Sequence, residues 1–173
     1  MSLPELIELS QADFITIDTS GPPGQRTFYL QATQDDMLVT LIIEKEHAAA
    51  MSIAVSGLLE QLGKAGDEPE PTNLDLVHPV EPLFRVGRLG LGYDQARDMV
   101  VVMAEELVEE GAERKTRVYI WASRAQMAAL ARKAAIVVAS GRPICFLCGE
   151  PIQPDEKHVC VRGNGRKHVG TGA

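Results

Sequence analysis

All three cysteines of this chain fall within sixteen residues near its C-terminal end: Cys145-Phe146-Leu147-Cys148-Gly149 and then, after nine residues counted from Cys148, His158-Val159-Cys160. A C-x-x-C pair followed about ten residues later by a second soft-ligand pair is how a polypeptide offers four ligands to a tetrahedral Zn²⁺. Two intervening residues turn the chain so that both thiolates point at one ion. Gly149 then permits the positive φ of a tight knuckle whose tip is Phe146-Leu147. His158 and Cys160 are two apart, so on an extended segment they project from one face, about 7 Å apart. Pro151, Pro154 and Asp155 supply the turn that lets the two ligand pairs meet. The expectation is a small zinc-ribbon-like hairpin with Cys145, Cys148, His158 and Cys160 as ligands, and His168 as the alternative to His158.

An odd cysteine count argues against a disulfide framework, and no secretory signal is visible, so a reducing, cytoplasmic setting is expected. Four protein ligands close the coordination shell and leave no position for water or substrate. The Zn²⁺ is therefore expected to be structural rather than catalytic.

With 173 residues, 45% of them apolar and 24% charged, the chain suits one globular body with a small appendage: an α+β domain over 1–140, then a zinc-ribbon-like hairpin and basic tail over 141–173. Its longest apolar run, near Ala134–Ala139, is far too short for a membrane span, so no membrane partner is expected. The formal charge of −7 is unevenly divided. Residues 1–140 carry 12 Lys and Arg against 21 Asp and Glu, a balance of −9, whereas residues 141–173 carry 5 against 3, a balance of +2. An acidic body is a poor general nucleic-acid surface, because neutralisation of phosphates by Lys and Arg dominates such affinity. Contact with nucleic acid would fall to the tail, through Arg162, Arg166 and Lys167.

The body reads as two similar halves. Phe14–Asp18, Thr27–Ala32 and Met37–Glu44 have strand character, with Gly21-Pro22-Pro23-Gly24 as a turn between the first two. Phe28, Leu30 and Ala32 alternate with Thr27, Tyr29 and Gln31, which predicts one buried and one wet face. Ala48, Met51, Val55, Leu58, Leu59 and Leu62 recur at helical spacing, with Gly63 as terminator, and the acid- and proline-rich stretch Gly66–Pro71 reads as a mobile connector. In the second half Phe84–Leu91, Met99–Leu107 and Arg117–Trp121 are the strands, joined by a Gly92-Tyr93-Asp94 turn and an acidic loop from Glu105 to Gly111. Ser123 with Gln126 forms a capping box ahead of the helical stripe Met127, Leu130, Ala131, Ala134, Val137 and Val138, which Gly141-Arg142-Pro143 ends. The expected fold is α+β: two β-β-β-α units forming an antiparallel sheet with helices on one face, plus the C-terminal zinc hairpin.

Gly24-Gln25-Arg26-Thr27-Phe28-Tyr29-Leu30-Gln31-Ala32, Leu41-Ile42-Ile43-Glu44-Lys45, Phe84-Arg85-Val86-Gly87, and the terminal Ser140-Gly141-Arg142-Pro143 with Cys145-x-x-Cys148-Gly149-x-Pro151-Ile152-x-Pro154 and His158-Val159-Cys160 together resemble the bacterial DUF3090 family. The resemblance runs from about Phe14 to Gly165. It implies a cytoplasmic bacterial protein with a metal-binding C-terminus, favours His158 over His168 as ligand, and brings no established activity with it.

Outside the tail the residues suggest less. Arg26 follows a glycine-rich turn, and Arg85 and Arg88 stand near the start of a strand, so a cluster of the three would hold an anion such as phosphate. The plainer reading is a solvated strand edge. Glu105-Glu106 and Glu109-Glu110 read as a solvated run, since adjacent residues on a strand point apart. His47 begins a helix and His78 precedes a proline, with no nucleophile-and-base pattern beside either. No G-x-x-x-x-G-K-[ST], G-x-G-x-x-G or H-E-x-x-H motif is present. Tyr119 and Trp121 read as strand-packing residues with too few cations around them for base stacking. The expected role is therefore a binding or adaptor module with a structural Zn²⁺ and a protein or small-molecule partner. The competing classes are an enzyme acting on a phosphorylated or anionic small molecule, and nucleic-acid contact through the tail.

Overall fold

The computed structural model describes residues 3–22, 24–63, 68–140 and 147, with the backbone of 158–159 and 167–168. The chain divides into two compact units: Met1–Ser20 with Thr27–Val138, and Gly21–Arg26 with Ala139–Ala173. The larger unit holds strands β1 (Leu6–Leu9), β2 (Phe14–Ser20), β3 (Thr27–Gln34) and β4 (Met37–Ile43), helix α1 (Lys45–Leu62), strands β5 (Phe84–Asp94), β6 (Met99–Glu106) and β7 (Arg117–Ala122), and nearly all of helix α2 (Arg124–Ser140). In the smaller unit, β8 (His158–Val159) pairs antiparallel with β9 (Lys167–His168).

The large sheet has the order β1-β7-β6-β5-β4-β3-β2. It is mixed, which corrects the expected all-antiparallel sheet: β4 pairs parallel with β5, and β1 parallel with β7. The reason for the first is the connection. Tight turns can join only antiparallel neighbours, whereas α1 and the twenty-odd residues after it form a crossover that delivers β5 in the direction of β4. β1, at four residues too short to show a period, precedes β2 along the chain. The Ala12 amide donates to the Trp121 carbonyl and the neighbouring Asp13 amide to the Thr33 carbonyl, each at 2.8 Å. Consecutive residues thus hold β7 on one side and β3 on the other, and the two ends of the sheet are joined there.

Residues directly opposite in a ladder share a face. Ile17, Leu30 and Leu41 stand in one row, and Val102 and Ile120 in another; all five are fully buried or nearly so. With Ala48, Met51 and Val55 of α1 and Met127, Leu130 and Ala134 of α2 they form one apolar core, so both helices lie on that face. Ser52 Oγ donates to the Ala131 carbonyl at 2.9 Å and fastens the helices to each other. Burial of each Leu or Ile in this layer is worth about 1.5–3 kcal/mol. The predicted capping box opens α2: the Ser123 amide donates to Gln126 Oε1 at 2.8 Å and the Gln126 amide to Ser123 Oγ at 3.1 Å. α1 is opened by a less usual version, in which the Glu44 amide donates to His47 Nδ1 at 3.0 Å. It ends at Gly63, whose φ of 86° is open to glycine at little cost.

The opposite face departs from the sequence expectation. Alternation places Gln31 on a wet face, yet Gln31, Thr16 and Thr40 are at most 1% exposed. They are covered by the chain between α1 and β5, which crosses the face of β2 and β3 and then comes alongside β4 as it enters β5. Thr16 Oγ1 donates to the Leu74 carbonyl at 2.6 Å, Gln31 contacts Val77, and the Leu83 amide donates to the Thr40 carbonyl at 2.8 Å. Residues 74–77 thus form a strap over this face of β2 and β3, and Leu83 continues in the plane of the sheet into β5. Of the connector expected over Gly66–Pro71, residues 66–67 lie outside the described residues, and Glu70 is ion-paired with Arg132 of α2.

One turn is also corrected. Gly92, Tyr93 and Asp94 lie inside β5, opposite Val101, Val100 and Met99, and the chain reverses over residues 95–98 instead. Asp98 takes a φ of 49°, a left-handed conformation that Asp tolerates better than most residues, and Asp94 Oδ1 accepts from the Arg97 amide at 3.2 Å.

Candidate functional site

The β5–β6 turn brings charged side chains to the start of α2. A cleft of about 680 Å³ opens there, lined by Gln11, Ala12 and Asp13, by Arg97, Asp98 and Met99, by Ser123 and Gln126, and by Glu68, Pro69 and Pro71. Its walls are fixed by hydrogen bonds. Gln126 Nε2 donates to the Ala12 carbonyl at 2.8 Å, and an Arg97 guanidinium nitrogen donates to the Ser10 carbonyl. The Arg97 guanidinium also lies over the Trp121 ring, 5.3 Å from its centre, and Trp121 meets Tyr119 edge-to-face with centroids 6.1 Å apart.

The most tightly connected group beside the cleft is Tyr93, Asp98 and Arg124. The Tyr93 hydroxyl donates to Asp98 Oδ1 at 2.5 Å; Arg124 Nε donates to the same oxygen at 2.9 Å and Nη2 lies 2.8 Å from it. Arg124 Nη2 also donates to the Tyr93 oxygen at 3.1 Å, and Nη1 to the Leu62 carbonyl at the end of α1 at 3.2 Å. The Tyr93 hydrogen bond, and after it that of Arg124, hold the Asp98 carboxyl below the usual carboxylate range. The bonds to Tyr93 and Asp98 raise the Arg124 guanidinium in turn. Both groups are driven further from neutrality, whereas a general acid or base works best with a pKa near the working pH. The arrangement is thus suited to clamping the β5–β6 turn and the C-terminal end of α1 to the start of α2.

The arginines singled out from the sequence are placed otherwise. Arg85 and Arg88 are both exposed on β5. Arg85 Nη1 is 2.7 Å from Glu44 Oε1, and Arg88 stands across from Glu105, which pairs with Arg117 at 3.1 Å. Arg26 belongs to the smaller unit, where its Nη1 donates to Ser140 Oγ at 2.7 Å and its buried Nε has no hydrogen-bond partner among the described residues. None of the three lines the cleft beside Asp98. Tyr93, Arg97, Asp98 and Arg124 are not legible as a group in the sequence, which points to a turn at Gly92–Asp94 and not at 95–98; Asp98, of a residue type that tolerates the left-handed conformation, is the available signal.

Cys145, Cys148 and Cys160 lie outside the described residues. His158 and His168, the two candidates for the remaining ligand, are directly opposite each other in the β8–β9 ladder. Among the described residues no group of three or more His, Cys, Asp or Glu side chains is arranged to hold a metal, and no helix is long and apolar enough to cross a membrane.

The family described as "Protein of unknown function (DUF3090)" matches residues 7–160. The chain belongs to the DUF3090 family. No curated protein and no solved structure matches it. The DUF3090 match starts within β1 and ends on Cys160; it takes in Cys145, Cys148 and His158 and stops short of His168.

Proposed function

We propose that this DUF3090 protein is a cytoplasmic zinc-binding protein that works as a binding or adaptor module, with a structural Zn²⁺ held by Cys145, Cys148, Cys160 and His158. The spacing C-x-x-C-G followed by H-x-C carries the reading, because these are four ligands of the right softness at the interval of a tetrahedral site. Two further facts support it. The family match ends on the last of these residues, and His158 occupies a strand, the extended geometry that a ligand pair two residues apart requires. His168 shares a ladder rung with His158, so the backbone leaves it within reach as the alternative. A closed site of this kind orders a short segment and presents its surface to a partner, and performs no chemistry itself.

The order β2-β3-β4-α1 followed by β5-β6-β7-α2 further suggests two β-β-β-α units, with β1 as an addition and the zinc hairpin as the terminal appendage. The test is metal content together with partner capture. Elemental analysis of the purified chain should find about one Zn²⁺ per molecule. A pull-down comparing the intact protein with a Cys145→Ser/Cys148→Ser variant should lose its partners only in the variant. A metal-free protein with three freely titratable thiols would refute the reading.

A further inference from the structure

We infer that the buried polar stripe Thr16, Gln31 and Thr40 is a receptor for an extended peptide, occupied in cis by the strap and able to release it. A sheet face closed for good gains most by burying Val, Ile or Leu. Here the strap covers two hydroxyls and a carboxamide, all at most 1% exposed. Such groups rehydrate when uncovered, so lifting the strap exposes little apolar surface beneath it.

The contacts themselves are those of a main-chain reader. Gln31 Nε2 donates to the Val77 carbonyl at 3.0 Å while Gln31 Oε1 accepts from the Val77 amide at 2.7 Å, so one side chain satisfies both backbone groups of one strap residue. The Val77 side chain takes no part and is 40% exposed. Thr16 Oγ1 donates to the Leu74 carbonyl. Only Leu74 enters as a buried side chain of the strap, beside an open cleft of about 390 Å³ that residues 71–75 themselves form with Ala129, Arg132, Lys133 and Ile136 of α2. Main-chain hydrogen bonds for affinity and a buried side-chain position for selection are how proteins recognise extended peptides. The ligand class that follows is an extended segment with a leucine in the position of Leu74, and the strap is its built-in competitor. The stripe lies wholly in the larger unit, so peptide binding there stands or falls independently of metal in the tail.

Native-state hydrogen exchange of the intact wild-type chain is the first test. The Val77 amide should be protected at least about 100-fold less than the amides of Phe28–Ala32, through an opening that leaves β3 intact. Exchange of Val77 at the same rate as β3 would overturn the proposal. The second test adds a fluorescent peptide with the sequence of residues 72–83 to the full-length protein. It should bind the Leu74→Ser variant, in which the strap is loosened, at least about tenfold more tightly than the wild type. A further Gln31→Leu change should abolish that binding. Equal or absent binding, or indifference to Gln31, would overturn the proposal; should Leu74→Ser not fold, the wild-type exchange pattern decides.

Discussion

Tyr93, near the end of β5, and Asp98, the last residue of the β5–β6 turn, are joined by a 2.5 Å hydrogen bond from the phenol to Oδ1, and Arg124 donates to both. The Asp98 carboxyl is thereby held below its ordinary value of 3.8. A carboxyl depressed in the folded state contributes stability that is present above the unfolded pKa and is lost as pH falls through the folded one. Carboxyl ¹³C titration should therefore find the Asp98 midpoint below that of an unperturbed aspartate, and Tyr93→Phe should raise it. The stability difference between Tyr93→Phe and wild type should shrink as the pH drops below about 3.8. An ordinary or elevated Asp98 midpoint in the wild type would mean that this clamp does not form.

Gln126 has two tasks at the start of α2, accepting from the Ser123 amide and donating to the Ala12 carbonyl. Ser123→Ala removes only the cap and should cost about 1 kcal/mol. Gln126→Ala also strips a partner from Ala12, beside the point where the ends of the sheet meet, and should cost more, about 1–3 kcal/mol. Urea denaturation separates the two; a smaller loss for Gln126→Ala would show that the Ala12 contact contributes nothing.

Leu30 is 1% exposed in the centre of the core face, whereas Ile53, on α1, is 75% exposed. Leu30→Ala leaves a cavity in close-packed surroundings and should destabilise by about 2–5 kcal/mol. Ile53→Ala should lie within about 0.5 kcal/mol of wild type. Comparable losses at the two positions would place α1 differently from the arrangement described.

These contrasts mark where local sequence is informative. The two amphipathic helices and six of the strands announce themselves through period 3.6 and period 2, and Ser123-x-x-Gln126 and Gly63 mark helix ends by local chemistry. The parallel pairing of β4 with β5 is not a local property, since it follows from how a long connector returns to the sheet. The same connector hides Gln31: alternation assigns a residue to a face and is silent on whether something else covers that face. The cleft is illegible for a related reason, because Asp13, Arg97 and Gln126 meet only once the sheet has closed. The proposed metal ligands stand at the other extreme, since their spacing alone points to them.

His158 and His168 share a rung of the β8–β9 ladder, so mutation rather than backbone geometry must separate them. His158→Ala should weaken Zn²⁺ binding about 10- to 100-fold more than His168→Ala, because His158 lies two residues from Cys160 within the family-matched span. Competition with a chromophoric chelator measures both. Equal losses, or a larger one at His168, would exchange their roles.

Removing the metal should loosen the smaller unit and leave the larger one folded. Short metal-closed segments bury too little apolar area to fold alone, so the free energy of binding supplies that of folding. The described core, by contrast, runs from Leu9 to Val138 and draws on seven strands and two helices. Residues 21–26 cluster with 139–173, and Arg26 donates to Ser140, so exchange protection lost beyond residue 143 on chelation should be accompanied by loss at 21–26. The cooperative unfolding transition of the larger unit should keep its midpoint. A single transition that moves with the metal would instead make the C-terminal segment part of the core, because only groups that unfold together with the body can shift its stability by mass action.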